Sequence, residues 1–282
     1  MQVRYCTLNG EKSRYYEAGS GPPILLLHGV GSSADSWIRT AEALSGVARV
    51  IAPDLPGHGF TPARPYEGAP QGAMMEHILA LIDHLELRRF SVGGSSFGAM
   101  LALLTYFARK ESVERIVLTS SATATLPDEE RLAGLKQAYN ASIAAYRAPS
   151  LESVIGRSRN LFFDPDKVSR ELALLQLNIF AQPGMEANFE KLLRGLMDME
   201  AVRPYRVDHR FGEIAVPLLM IWGLQDRQVN VHRAIEAARQ AAEAYFVGME
   251  NCGHVPHLEH PERVHELMAA FLSGESLAQY RV

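Results

Sequence analysis

The sequence predicts an α/β fold, a mostly parallel central sheet flanked by helices and interrupted by a helical insert. Three observations predict it. Short, wholly apolar runs alternate with stretches of helical periodicity, as strands do when helices cover both faces of a parallel sheet. From about Thr125 to Arg210 the strand pattern stops and only helical periodicity continues. One strand-to-helix junction, Gly94-Ser95-Ser96-Phe97-Gly98, has a glycine on each side of a serine-containing turn.

Taken in order, Val3–Leu8 and Lys12–Glu17 read as strands of a hairpin turned at Asn9-Gly10. Ile24–Leu27 and Val47–Ala52 are buried strands, with a helix from Ala34 to Leu44 between them. Met74, Met75, Ile78, Leu79, Ile82 and Leu85 recur at helical spacing and lead to a strand at Phe90–Gly93. The junction follows, then a helix over Ala99–Ala108 and a strand at Val113–Leu118. Helices are predicted over Asp128–Ala145, Leu151–Leu161, Lys167–Phe180 and Met185–Met197, broken at Pro149, Pro165 and Pro183-Gly184. The strand code resumes at Val216–Trp222, with a helix near Val231–Ala242, a strand at Tyr245–Val247 and a last helix at Pro261–Leu272. Residues 1–124 and 213–282 therefore form the core, and 125–212 the insert.

The chemistry starts at Ser96. A serine at the apex of so tight a turn needs small neighbours, and the turn aims the free N–H groups of the new helix at whatever the hydroxyl attacks. A serine hydroxyl needs a base to take its proton and an acid to orient that base. Asp226, just past the Val216–Trp222 strand, is the candidate acid, since catalytic groups gather at the carboxyl ends of parallel strands. His254, between the last strand and the last helix, is the candidate base. His28-Gly29-Val30-Gly31 follows another strand, and the N–H groups of Val30 and Phe97 are candidate donors to an oxyanion. His28 is assigned to holding that loop. His254, His257 and His260 invite a metal reading, but they lack a defined set of further ligands and Pro256 argues against a regular helix there. No metal and no cofactor is expected.

With 282 residues, 47% of them hydrophobic and 21% charged, the chain has the composition of an ordinary folded domain with a large core. A net charge of −4 without a long basic run gives no footprint for nucleic acid. No apolar stretch approaches the ~20 residues of a membrane span. The N-terminus lacks the apolar core of a secretory signal. The two cysteines, Cys6 and Cys252, have no metal-type spacing. The expectation is a cytoplasmic, disulfide-free monomer or homodimer acting on a small molecule.

The order Ser…Asp…His, the G-x-S-x-G turn, the His-Gly loop and the helical insert together resemble the α/β-hydrolase superfamily, over essentially the whole chain. Pro53-Asp54-Leu55-Pro56-Gly57-His58-Gly59 is similar to that family's structural D-x-x-G-x-G turn. The resemblance implies Ser96 as nucleophile, His254 as base, Asp226 as its orienter, Val30 and Phe97 as oxyanion donors, and the insert as a cap over the substrate. A serine at the turn separates the chain from haloalkane dehalogenases and epoxide hydrolases, which place an aspartate there.

Within the serine-dependent members, the pieces resemble those of carboxylesterases, lactonases and the C–C hydrolases of aromatic ring-fission products. Trp37 and Cys252-Gly253-His254 resemble the last group, and Arg157 and Arg159 could meet a substrate carboxylate. That group commonly has a tryptophan where this chain has Val255, and Asn-Ser-Met-Gly where it has Ser95-Ser96-Phe97-Gly98. Ester or lactone hydrolysis is therefore the primary reading and C–C hydrolysis the alternative, with a weakly hydrolytic small-ligand receptor of the same fold as a third. Phe162, Phe163, Phe180, Met185, Phe189, Met197 and Met199 make the insert apolar. Phe162 and Phe189 from it, and Trp37, Met100 and Val255 from the core, are the expected pocket residues.

Overall fold

Eight strands form one sheet: β1 (Gln2–Leu8), β2 (Glu11–Ala18), β3 (Pro23–Leu27), β4 (Arg49–Pro53), β5 (Phe90–Ser95), β6 (Val113–Thr119), β7 (Leu218–Gly223) and β8 (Ala244–Met249). The computed structural model describes residues 1–282, apart from the side chain of Ala122. Strand order is β1-β2-β4-β3-β5-β6-β7-β8. β1 and β2 pair antiparallel, as do β2 and β4; every later pairing is parallel. This is the parallel α/β architecture that the alternating pattern predicts, in the α/β-hydrolase form that the resemblance implies. From β3 the chain steps to β4 on one side and then to β5 on the other. The crevice beyond the carboxyl ends of β3 and β5 is thus the switch point at which such sheets bind ligands.

The apolar strands are buried on both faces because alternate side chains enter different cores. Leu25, Leu27, Val92, Ile116, Leu118, Leu218 and Met220 join one cluster, while Ile24, Leu26, Val117, Leu219 and Ile221 join the other. The helices are α1 (Ile38–Leu44), α2 (Gln71–His84), α3 (Phe97–Ala108), α4 (Ala122–Thr125), α5 (Asp128–Arg147), α6 (Leu151–Arg159), α7 (Arg170–Phe180), α8 (Met185–Met197), α9 (Val231–Ala238), α10 (Pro256–Glu259) and α11 (Pro261–Leu272). α2, α3 and α9 contribute to the first cluster, α1 and α11 to the second. Between β6 and β7 the chain is helical, with α4 to α8 in succession. No described helix is long and apolar enough to cross a membrane.

Several boundaries differ from the sequence reading, each for a local reason. The single helix expected from Ala34 to Leu44 begins as a 3₁₀ turn at Ala34–Trp37 and becomes α-helical only from Ile38. The helix expected from Lys167 starts at Arg170, because Ser169 Oγ accepts the Leu172 N–H and caps it there. Pro256 does not exclude a helix: it opens the one-turn α10 at the first position, where its missing N–H costs nothing.

The Asp54 turn is held by a buried ion network. Arg14 grips Asp54 through two hydrogen bonds of 2.6 and 2.9 Å and Asp35 through a third of 2.7 Å. Asp54 also accepts the N–H groups of Ala34 and Phe60. The loops after β3 and β4 are fixed to β2 by this cluster.

Candidate active site

Ser96 lies between β5 and α3 with φ 55° and ψ −120°, a strained conformation for a residue with a side chain. Its surroundings enforce it. The Ser96 N–H donates to the carbonyls of Thr119 and Ser120, and Ser121 Oγ donates to the Ser96 carbonyl at 2.6 Å. The flanking glycines leave no room for anything larger: a Cβ on Gly94 would stand 2.2 Å from the Gly98 carbonyl oxygen, and one on Gly98 2.1 Å from that of Leu27. Both glycines are a steric requirement of the turn.

His254 and Asp226 are brought together from the loops after β8 and β7. His254 Nδ1 lies 2.8 Å from Asp226 Oδ2, with the aspartate side chain fully buried. A carboxylate only accepts, so Nδ1 carries the proton and Nε2 keeps its lone pair. That Nε2 is buried and has no hydrogen-bond partner among the described residues. Asp226 is fixed in turn by the Gln228 N–H at 2.8 Å. The two loops are tied to each other where the Gln225 N–H donates to the Cys252 carbonyl and the Cys252 N–H to Gln225 Oε1, both at 3.0 Å.

The loop after β3 completes the arrangement. The Gly29 carbonyl accepts from the Ser32 N–H at 3.2 Å and from His28 Nδ1 at 2.9 Å. His28 Nε2 accepts the Leu55 N–H at 3.0 Å, so Nδ1 must be the protonated nitrogen. Burial lowers the pKa of this ring to about 4, keeping it neutral. In a trans peptide the N–H points opposite to the carbonyl. Pinning the Gly29 oxygen therefore turns the Val30 N–H to the other side of the peptide. Gly29 itself runs so close to Ser96 that an added Cβ would sit 3.0 Å from the serine Cβ. Phe97 is the first residue of α3, where an N–H has no carbonyl of its own helix to bond.

One cavity is lined by Gly29, Val30, Ser96, Phe97, His254 and Val255 from the core, and by residues of the inserted helices, Phe162 and Phe189 among them. Trp37 and Met100 are not on its wall. Trp37 is buried and stacks on His257 at a centroid distance of 4.2 Å, and Met100 packs into the sheet core. Both are large apolar residues that the core claims. His257 lines the cavity as a neutral ring, since burial and the neighbouring His254 lower its pKa to about 3. His260 Nε2 bonds to the Asn251 carbonyl. The three histidines of the loop thus have separate partners, and among the described residues no group of three His, Cys, Asp or Glu is placed to hold a metal ion.

Sequence reasoning missed Glu259. Its buried carboxylate accepts the N–H groups of Gly253 and Phe163, each at 2.7 Å, joining the His254 loop to the insert. The His254 N–H adds a 2.7 Å bond to the Leu161 carbonyl. The partners are backbone groups, and those in the insert, Leu161 and Phe163, are distant in sequence, so no local pattern reveals the link.

A family model described as the alpha/beta hydrolase fold matches residues 22–261, and the chain belongs to that family. It is an enzyme, a hydrolase. A 2-hydroxymuconate semialdehyde hydrolase of Pseudomonas putida is 29% identical over 94% of this chain and 92% of its own length. The structure of a meta-cleavage product hydrolase from Pseudomonas fluorescens IP01 is 28% identical, with a TM-score of 0.79 covering 96% of this chain and 97% of that one. That of a bacterial membrane phospholipase A is 26% identical, with a TM-score of 0.80 covering 97% and 86%.

Proposed function

We propose that the chain is a serine hydrolase that cleaves a carboxylic ester or lactone of a small, largely apolar substrate through an acyl-enzyme on Ser96. One observation carries the reading. The buried His254 Nε2, its ring oriented by Asp226, has no hydrogen-bond partner among the described residues, and His254 lines the same cavity as Ser96. His254 takes the Ser96 proton as Oγ forms a bond to the substrate carbonyl carbon. The carbonyl π pair moves onto oxygen, where the N–H groups of Val30 and Phe97 receive the negative charge. Collapse breaks the bond to the alcohol oxygen, which leaves with the proton from His254. Water then attacks the acyl-enzyme, its proton passing to His254 and on to Ser96 Oγ as the acid departs. The helical insert acts as the cap whose apolar wall selects the substrate.

A second reading, hydrolysis of a C–C bond in a vinylogous diketone, is favoured by the named activities of the Pseudomonas relatives. The same oxyanion and base would serve it, with a stabilised carbanion leaving in place of an alkoxide. Turnover of p-nitrophenyl esters, lactones and a vinylogous diketone by one preparation separates the two. The primary reading expects the highest kcat/KM on an ester or lactone. A clear preference for the diketone replaces it with the second reading. Tight ligand binding with only slow turnover of all three would favour the weakly hydrolytic receptor.

A further inference from the structure

Among the described residues three arginines are buried: Arg14, Arg131 and Arg157. Arg14 is paired with Asp35 and Asp54, and Arg131 with Asp128. Arg157, on α6, has no carboxylate partner among the described residues. It is only 7% exposed and lines the cavity that holds Ser96 and His254. Its Nη2 donates to the Val30 carbonyl at 3.1 Å, its guanidinium lies 5.5 Å from the Phe180 ring centroid, and its Nε is buried without a partner. Arg159, two residues on, is exposed and absent from the cavity wall. Of the two cations the sequence offers, the fold brings one to the site.

A buried cation without a counter-ion is costly, and a ligand that supplies the missing anion relieves that cost. We infer that Arg157 is a specificity-determining residue that binds a carboxylate carried by the substrate, so that the enzyme's substrates are acidic esters or lactones. The inference rests on the serine-hydrolase reading and narrows it. A guanidinium presents donors in a planar fork that matches a carboxylate, which fixes direction as well as attraction. Gln176 of α7 lines the same cavity with its carboxamide Oε1 buried and unpartnered. The amide's N–H groups are further donors on the wall of that cavity. Much of the remaining wall is apolar, including Leu135, Phe162, Leu172 and Phe189. One charged anchor there would decide which end of an apolar substrate reaches Ser96.

The test is a ratio of kcat/KM values for matched esters. Mono-p-nitrophenyl glutarate and p-nitrophenyl 5-methylhexanoate differ by a carboxylate against an isopropyl group on the acyl side. 4-Acetoxybenzoate and 4-isopropylphenyl acetate differ likewise on the alcohol side. The protein should prefer the charged member of at least one pair by roughly 10- to 100-fold, the range of a hydrogen bond to a charged group. Arg157→Met should bring that ratio close to one whatever happens to the absolute rates, and Arg157→Lys should restore part of it. No preference in either pair, or a preference that survives in Arg157→Met, would overturn the inference. Should no ester turn over, the hydrolytic reading fails by itself, and glutarate binding by calorimetry still tests the anchor. Binding lost in Arg157→Met and partly kept in Arg157→Lys supports it; binding unaffected by either change refutes it.

Discussion

At the scale of single residues, the site depends on which nitrogen of each histidine carries the proton. Asp226 holds the proton of His254 on Nδ1 at 2.8 Å and leaves the lone pair on Nε2, where a serine proton could be received. Asp226→Asn offers Nδ1 an amide donor instead, which moves the ring proton to Nε2 and removes the acceptor. On the proposed mechanism kcat should fall by on the order of 10⁴, with the melting temperature little changed. Steady-state kinetics on the best ester, beside a thermal melt, checks both parts. Activity near that of the unmodified protein would mean that the acid lies elsewhere.

At the scale of elements, the cavity is shared between strand ends and inserted helices, and the two contributions should separate by mutation. Phe162 and Phe189 are on the cavity wall, whereas Trp37 and Met100 are inside the core. Phe162→Ala and Phe189→Ala should shift the ranking of ester chain lengths. Trp37→Ala and Met100→Ala should cost about 2–5 kcal/mol of stability and leave that ranking in place. Denaturant melts with a chain-length series test this directly; an unchanged ranking in both cavity variants would reduce those aromatics to packing. The same division shows what the sequence makes legible. Strand and helix order is read from periodicity because burial on both sheet faces leaves uninterrupted apolar runs such as Ile24–Leu27. Ser96, His254 and Asp226 are read from position, since each follows a recognisable strand. Pocket membership is not readable: Trp37 and Phe189 are both bulky and apolar, and only the packing of the insert on the core decides which one meets the cavity. Glu259 is invisible for the same reason, its partners being the N–H groups of Gly253 and, from the insert, Phe163.

At the scale of the whole molecule, stability should depend steeply on pH through buried neutral histidines. Burial lowers the pKa of His28 and His77 to about 4 and that of His58 and His257 to about 3, against an ordinary value of 6.5. Between pH 6.5 and 4 the unfolded chain takes up protons on these rings and the folded chain does not. Unfolding then binds protons, so stability rises with pH across that window. The contribution is complete above pH 6.5 and is lost as pH falls toward 4, by up to about 1.4 kcal/mol per pH unit for each ring. Calorimetric melts at pH 7.5, 6, 5 and 4.5 should show the melting temperature falling progressively below pH 6.5. A flat profile would mean that these rings are not buried neutral in solution.

The central claim, that Ser96 is the nucleophile, is tested most directly by intact-protein mass spectrometry after treatment with a fluorophosphonate. Such a reagent phosphonylates an activated serine and releases fluoride. The unmodified protein should gain one phosphonyl group, mapping by peptide digestion to Ser96. Ser95→Ala should still be labelled, because that residue ends β5 before the strained turn. Ser96→Ala should fold with the same melting temperature and gain no mass. A label that persists in Ser96→Ala, or one that disappears in Ser95→Ala while Ser96 is intact, would contradict the account.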